Sequence, residues 1–303
     1  MGNSLVKIIV SIAAMLLLAK VSVGAEALKL RHYQSVYADD KEMGFSSPEG
    51  VSCDEKGHIL VADSGNGRLV QFTLINGKAM FDKEIRGGEL SVPVRVHTNS
   101  KGEIFALDGR QKQVVRFSPG GEYLGRVDSA DSPLPSTVIP RGFDIGKDDS
   151  IYLLDVFGVR VLILSPEGKF TGQINFPKDY EAISDLAVDA KGNIFLIDSV
   201  KSMVFVAAKG SGQFSPLTES MKATMKFPAA ITTDAHGNIF LADKNGGIIF
   251  IMGQDGSFKG EQLIMGWKEG QLRSPCQLCV NGKGEVFVAD RDNNRIQIFS
   301  TAR

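Results

Sequence analysis

The chain is poor in the residues that most often carry out chemistry. Its 303 residues include 4 histidines, 3 cysteines and 1 tryptophan. A zinc centre draws three or four ligands to one point, and His32, His58, His97 and His236 fall in four separate segments. No metal site and no cofactor are expected. A block of one charge sign is missing as well. The 34 basic and 35 acidic side chains are interspersed and sum to −1. Proteins that bind nucleic acid cluster Lys and Arg to neutralise phosphates, so that partner class is excluded. Beyond the first residues no apolar run approaches the ~20 needed to span a bilayer.

The first residues have the composition of a secretory leader. Lys7 supplies positive charge, Ile8 to Leu18 is apolar, and Val23-Gly24-Ala25 offers a small-x-small cleavage site, followed by a second at Ala25-Glu26-Ala27. Lys20 interrupts the run before it reaches spanning length. A retained anchor is the other reading. The expectation is a signal peptide over residues 1–25, a periplasmic or secreted protein, and one domain over 26–303 with 32 basic and 35 acidic side chains and no attachment to the membrane.

What the chain has in abundance is glycine, 33 residues, and it recurs in register. Gly57-His58-Ile59-Leu60-Val61-Ala62-Asp63 is echoed five times, in runs closing at Asp108, Asp155, Asp198, Asp243 and Asp290. The closing aspartates lie 45, 47, 43, 45 and 47 positions apart, the period of one four-stranded propeller blade. A proline opens the preceding run in five units: Pro48, Pro93, Pro140, Pro228 and Pro275. Short β-branched and aromatic runs bounded by turn residues predict strands throughout. The sixth unit stops four residues after Phe299, short of an outer strand. Leu28 to Tyr37 is spare at the other end, and pairing it into blade six closes the ring and removes an exposed edge. The fold class is therefore all-β, a six-bladed β-propeller of four-stranded antiparallel blades, closed by an N-terminal strand.

Gly284 through Phe299, with Asp290, Asn293 and Arg295 in place, closely resembles an NHL repeat, and so does Gly57 through Phe72 with Asp63, Asn66 and Arg68. Gln113, Met203 and Ile248 replace the arginine in blades two, four and five. The resemblance implies a six-bladed propeller; the family includes protein binders, RNA binders and a few enzymes, so it does not choose a function. Zinc-dependent amidating lyases of this architecture need several central histidines, and here only His97 is on an inner strand. Calcium-dependent lactonases of similar shape place a Glu ahead of the first inner-strand proline, where this chain has Ser46 and Ser47.

The six aspartates Asp63, Asp108, Asp155, Asp198, Asp243 and Asp290 read as structural, each accepting backbone N–H groups of the following turn; no catalytic residue is assigned. The candidate binding residues begin the inner strands and are expected at the channel mouth: Glu49, Arg95, Arg141, Asp185 and Gln277, with Ala229 and Cys276 between them. Tyr123, Phe157 and Trp267 are candidate exposed aromatics. Cys276 and Cys279 form a C-x-x-C, but alternation on a strand sends positions three apart to opposite faces. Aligning Pro48 with Pro275 gives Cys53 and Cys279 opposite faces of equivalent strands. Blades one and six meet at the closure, so parity permits a Cys53–Cys279 disulfide and forbids Cys53–Cys276. The functional expectation is a binding or scaffold module for a protein partner, engaged through the mouth. A small-molecule hydrolase or lyase acting at that mouth is the alternative.

Overall fold

A computed structural model describes residues 28–127, 133 and 137–302; the expected leader lies outside them. Among these residues every regular element is a strand except two single 3-10 turns, Ser64–Asn66 and Arg291–Asn293. No helix is long and apolar enough to cross a membrane among the described residues.

The strands form six antiparallel sheets of four. Blade one uses Gly50–Cys53, His58–Asp63, Arg68–Ile75 and Lys78–Ile85, from inner to outer edge. Blade two begins with Pro93–Thr98, blade three with Pro140–Ile145, blade four with Ile183–Val188 and blade five with Pro228–Thr233. Blade six takes Pro275–Val280, Glu285–Asp290 and Arg295–Ala302 from the end of the chain, then Lys29–Val36 from its beginning. That last strand pairs antiparallel with Arg295–Ala302, from Lys29 opposite Ala302 to Val36 opposite Ile296. The ring closure is thus the one the truncated sixth repeat requires.

Blades pack face to face, and the apolar side chains form six wedges, one per junction, instead of one central core. Val51, Val61 and Phe72 of blade one meet Phe287, Ala289 and Ile298 of blade six. Val96, Ile104 and Phe117 of blade two meet Leu60, Ala62 and Leu69 of blade one. The second strand of each blade is buried along nearly its whole length because both its faces meet neighbours. This explains why its sequence is continuously apolar and does not alternate.

The closing aspartates are fully buried and fasten the top of each blade. Asp108 accepts N–H groups from Arg110 and Gln111 in the turn that follows, as expected, and also from Ser91 and Val92 ahead of the inner strand. Asp198 and Asp243 do the same. In blades one, three and six an arginine five positions on joins them. Arg68, Arg160 and Arg295 approach Asp63, Asp155 and Asp290 at 2.7, 3.0 and 2.8 Å. Arg68 also reaches Asp39 and Glu84, so this buried guanidinium is compensated, as burial of a charge demands. Cys53 and Cys279 are joined across the junction of blades one and six, with Cα atoms 5.9 Å apart. Cys276 is a buried free thiol.

Candidate functional site

Two positions at the start of each inner strand must be distinguished, and a bulge separates them. In blade two Pro93 pairs with Asp108 but Arg95 pairs with Leu107, so one residue is skipped. Blades three, four and five repeat this irregularity, and blade six has it between Pro275 and Leu278. A bulge re-aims the side chains on either side of it. The residue after the proline position is Glu49, Val94, Arg141, Ser184, Ala229 or Cys276, and the next is Gly50, Arg95, Gly142, Asp185, Ala230 or Gln277.

This second set alternates small and long around the ring, and packing accounts for it. Gln277 of blade six passes Gly50 of blade one to reach blade two. Its Oε1 accepts the N–H groups of Val51 and Val96, and its Nε2 donates to the Val96 carbonyl. A Cβ on Gly50 would lie 2.9 Å from that Oε1. Asp185 of blade four likewise occupies the space left by Gly142, where a Cβ would lie 2.9 Å from its Oδ1. Its other oxygen accepts the N–H of Ile231 in blade five. The inner strands have unpaired edges facing the channel, and these side chains satisfy them.

Two sequence expectations are corrected here. Asp185 and Gln277 are not at the mouth; each is only 4% exposed and belongs to a polar network across the channel below it. Arg95 holds the equivalent strand position, but its longer side chain reaches the cavity while Asp185 and Gln277 stay beneath it. The network continues through His97, whose Nδ1 lies 3.2 Å from Asp144 Oδ1 and whose Nε2 lies 3.1 Å from Gln277 Nε2. Asp144 Oδ2 accepts the Val188 N–H. Burial lowers the His97 pKa to about 4, the nearby Asp185 carboxylate opposing and Arg95 reinforcing that shift. Burial likewise raises Asp144 to about 7 against the pull of the Val188 and Ile145 N–H groups. Between those values the pair holds one proton.

Above the network is a cavity of about 640 Å³. Glu49, Arg95, Arg141 and Ala229 line it. Arg110 and Lys112 from the loop after blade two's second strand, and Lys244 from the equivalent loop of blade five, were not anticipated. Their signal was available, since each lies one to four residues past a closing aspartate, where loops surround a propeller mouth. Among the charged residues of the lining, five are cations and one is a carboxylate, and Glu49 already meets Arg291 at 3.2 Å. Arg141 makes no ion pair among the described residues and is exposed. Cys276 is buried beneath the rim and its thiol is pushed up by desolvation, with Arg95 opposing. Tyr123, Phe157 and Trp267 are exposed, Trp267 at 76%, but none lines this cavity. No group of three or more His, Cys, Asp or Glu side chains is placed to hold a metal ion among the described residues.

Comparison with known proteins agrees with this architecture. The NHL repeat family matches residues 45–72 and 272–299, which lie in blades one and six. Comparison with curated proteins gives no match. Among solved structures, a catalytically inactive virginiamycin B lyase from Staphylococcus aureus with quinupristin is 14% identical, with a TM-score of 0.64, covering 90% of this chain and 99% of that one. A gluconolactonase from Xanthomonas campestris is 10% identical, with a TM-score of 0.65 and coverage of 91% and 95%. The PQQ-bound aldose sugar dehydrogenase from Streptomyces coelicolor is 16% identical, with a TM-score of 0.63 and coverage of 92% and 100%. Identities this low establish a shared fold and nothing finer. The chain is a six-bladed β-propeller carrying NHL repeats.

Proposed function

We propose that this protein is an exported binding module that engages a protein partner through the mouth of its propeller. The observation that carries the reading is the cavity itself: concave, framed by loops from several blades, and lined by five cations against one carboxylate that is already paired. A rigid ring with convergent polar groups at one opening is the default binding site of such a fold.

The second reading, a small-molecule hydrolase or lyase, draws support from the enzymes among the structural neighbours and from a cavity of ligand size. Its best candidate base is His97, which is paired with a carboxylate. Both ring nitrogens are occupied, by Asp144 and by Gln277, and neither His97 nor Asp144 lines the cavity. A general base must reach the proton it removes, so the geometry favours binding over catalysis.

The test is cross-linked capture of partners by the tagged protein in its own host, beside an Arg141→Ala/Lys244→Ala variant. Both side chains are at the rim, so the variant should fold normally by circular dichroism. A discrete partner captured by the natural protein and lost from the variant supports the reading. A partner captured equally by both moves binding away from the mouth and overturns it.

A further inference from the structure

We propose that the mouth cavity is an oxyanion site: it takes a carboxylate or phosphate group, with Arg95 at its floor and Arg141 and Lys244 at its rim. This deepens the binding-module reading by naming the chemistry the mouth selects.

Arg95 is short of partners. Its side chain is 12% exposed, yet it makes a single hydrogen bond, from Nη1 to the carbonyl of Val94 in its own strand. Its buried Nε–H has no acceptor. The nearest carboxylate oxygen, Asp185 Oδ1, stands 3.8 Å away, beyond hydrogen-bonding reach. The fully buried arginines differ. Arg68 and Arg295 each meet four or more acceptors at 2.6–3.2 Å. A guanidinium carries five N–H donors; here the Nε–H is buried with no acceptor, which is costly. Asp185 cannot turn fully toward Arg95, because its Oδ2 is committed to the Ile231 N–H.

The surroundings offer no other compensation. Glu49 is engaged by Arg291, and the remaining charged groups of the lining, Arg110, Lys112, Arg141 and Lys244, are all cations. Small walls at Ala229, Gly109 and Ser184 leave room above Arg95. An incoming oxyanion would meet the unused N–H groups of Arg95 from below and the rim cations from the sides. Charge-assisted hydrogen bonds of this type are the strong ones. An acidic segment of a partner protein and a free small anion share this chemistry, and the experiment separates them.

Isothermal titration calorimetry at low salt would use two probes, inorganic phosphate and a peptide of alternating Glu and Ser, with a Gln–Ser peptide as the uncharged control. The natural protein should bind at least one anionic probe and not the control, and added salt should weaken binding. Arg141→Gln/Lys244→Gln should weaken it by roughly tenfold or more, the size expected for losing charged hydrogen bonds. Lys101→Gln/Lys191→Gln, on the opposite face, should leave it unchanged. Peptide binding alone assigns the site to an acidic partner segment; phosphate binding alone assigns it to a free anion. Failure of both probes, or equal binding by the Arg141/Lys244 variant, overturns the proposal. Partner capture at the mouth can succeed when both probes fail, so the two readings fail separately.

Discussion

Asp144→Asn should make the protein's stability climb with pH relative to the natural protein between about 4 and 6.5, and His97→Gln should make it fall between about 4 and 7. Folded, the two side chains lie 3.2 Å apart and hold one proton from about pH 4, where His97 titrates, to about 7, where Asp144 does. Unfolded, an Asp near 3.9 and a His near 6.5 also hold one proton over almost the same range. Proton uptake on unfolding is then close to zero, and the pair adds little pH dependence. Removing the carboxylate leaves a histidine whose folded pKa is depressed. The unfolded chain binds the extra proton between about 4 and 6.5, so stability rises with pH by up to about 3 kcal/mol, at about 1.4 kcal/mol per tenfold change in proton affinity. Removing the histidine leaves a carboxyl group whose folded pKa is raised. The folded chain keeps the proton to about 7 while the unfolded one loses it near 3.9, so stability falls with rising pH by up to about 4 kcal/mol. These are upper bounds, because His97 and Asp144 keep 24% and 16% of their side-chain surface open. Urea denaturation of the three proteins between pH 4 and 7 reads the difference directly, since all other groups cancel in the comparison. Parallel profiles for natural protein and both variants would refute the shared proton.

Other expectations concern the ring. Unreduced protein, denatured and alkylated, should label Cys276 alone, and Cys53→Ala should cost about 2–5 kcal/mol in chemical denaturation, because the bridge closes a loop of 226 residues at the blade-six junction. Asp290→Ala should cost about 3–5 kcal/mol by the same measurement, since it strands buried Arg295 and removes the acceptor of Arg273, Asn293 and Gln297. Gly50→Ala should cost about 1–3 kcal/mol by overpacking, because its Cβ would press on Ala62, on Gln277 and on the Arg95 backbone. Gly142→Ala should cost less, since only the Asp185 carboxylate stands within 3 Å of its Cβ.

Much of this architecture was legible because a propeller repeats. Six buried aspartates at a steady period mark the blades, and a missing outer strand at one end with a spare strand at the other marks the closure. Parity along two equivalent strands was enough to single out Cys53 and Cys279, since both lie past the strand start, where pairing is regular and alternation holds. The same parity misled at the other end of the strands. Asp185 and Gln277 were grouped with Glu49, Arg95 and Arg141 at the mouth, and a one-residue bulge, which leaves no mark in composition, sends these two into the network below it. Asp144 was overlooked although it stands four residues after Pro140 as His97 stands four after Pro93; only alignment of the blades exposes the pair. Arg160, five residues after Asp155, was likewise open to discovery. The cations of the rim, Arg110, Lys112 and Lys244, were marked only by their place one to four residues past a closing aspartate; which of the loop residues converge depends on the curvature of the ring.

The central claim is that the mouth face is the binding face, and lysines mark the two faces separately. Lys112 and Lys244 border the mouth cavity, whereas Lys56, Lys101, Lys191 and Lys283 are in the turns after the inner strands, on the opposite side. Amine-reactive cross-linking of the captured complex, read by mass spectrometry, should place the partner on Lys112 and Lys244 and leave the other four unlinked to it. Cross-links confined to the four opposite-face lysines would contradict the account.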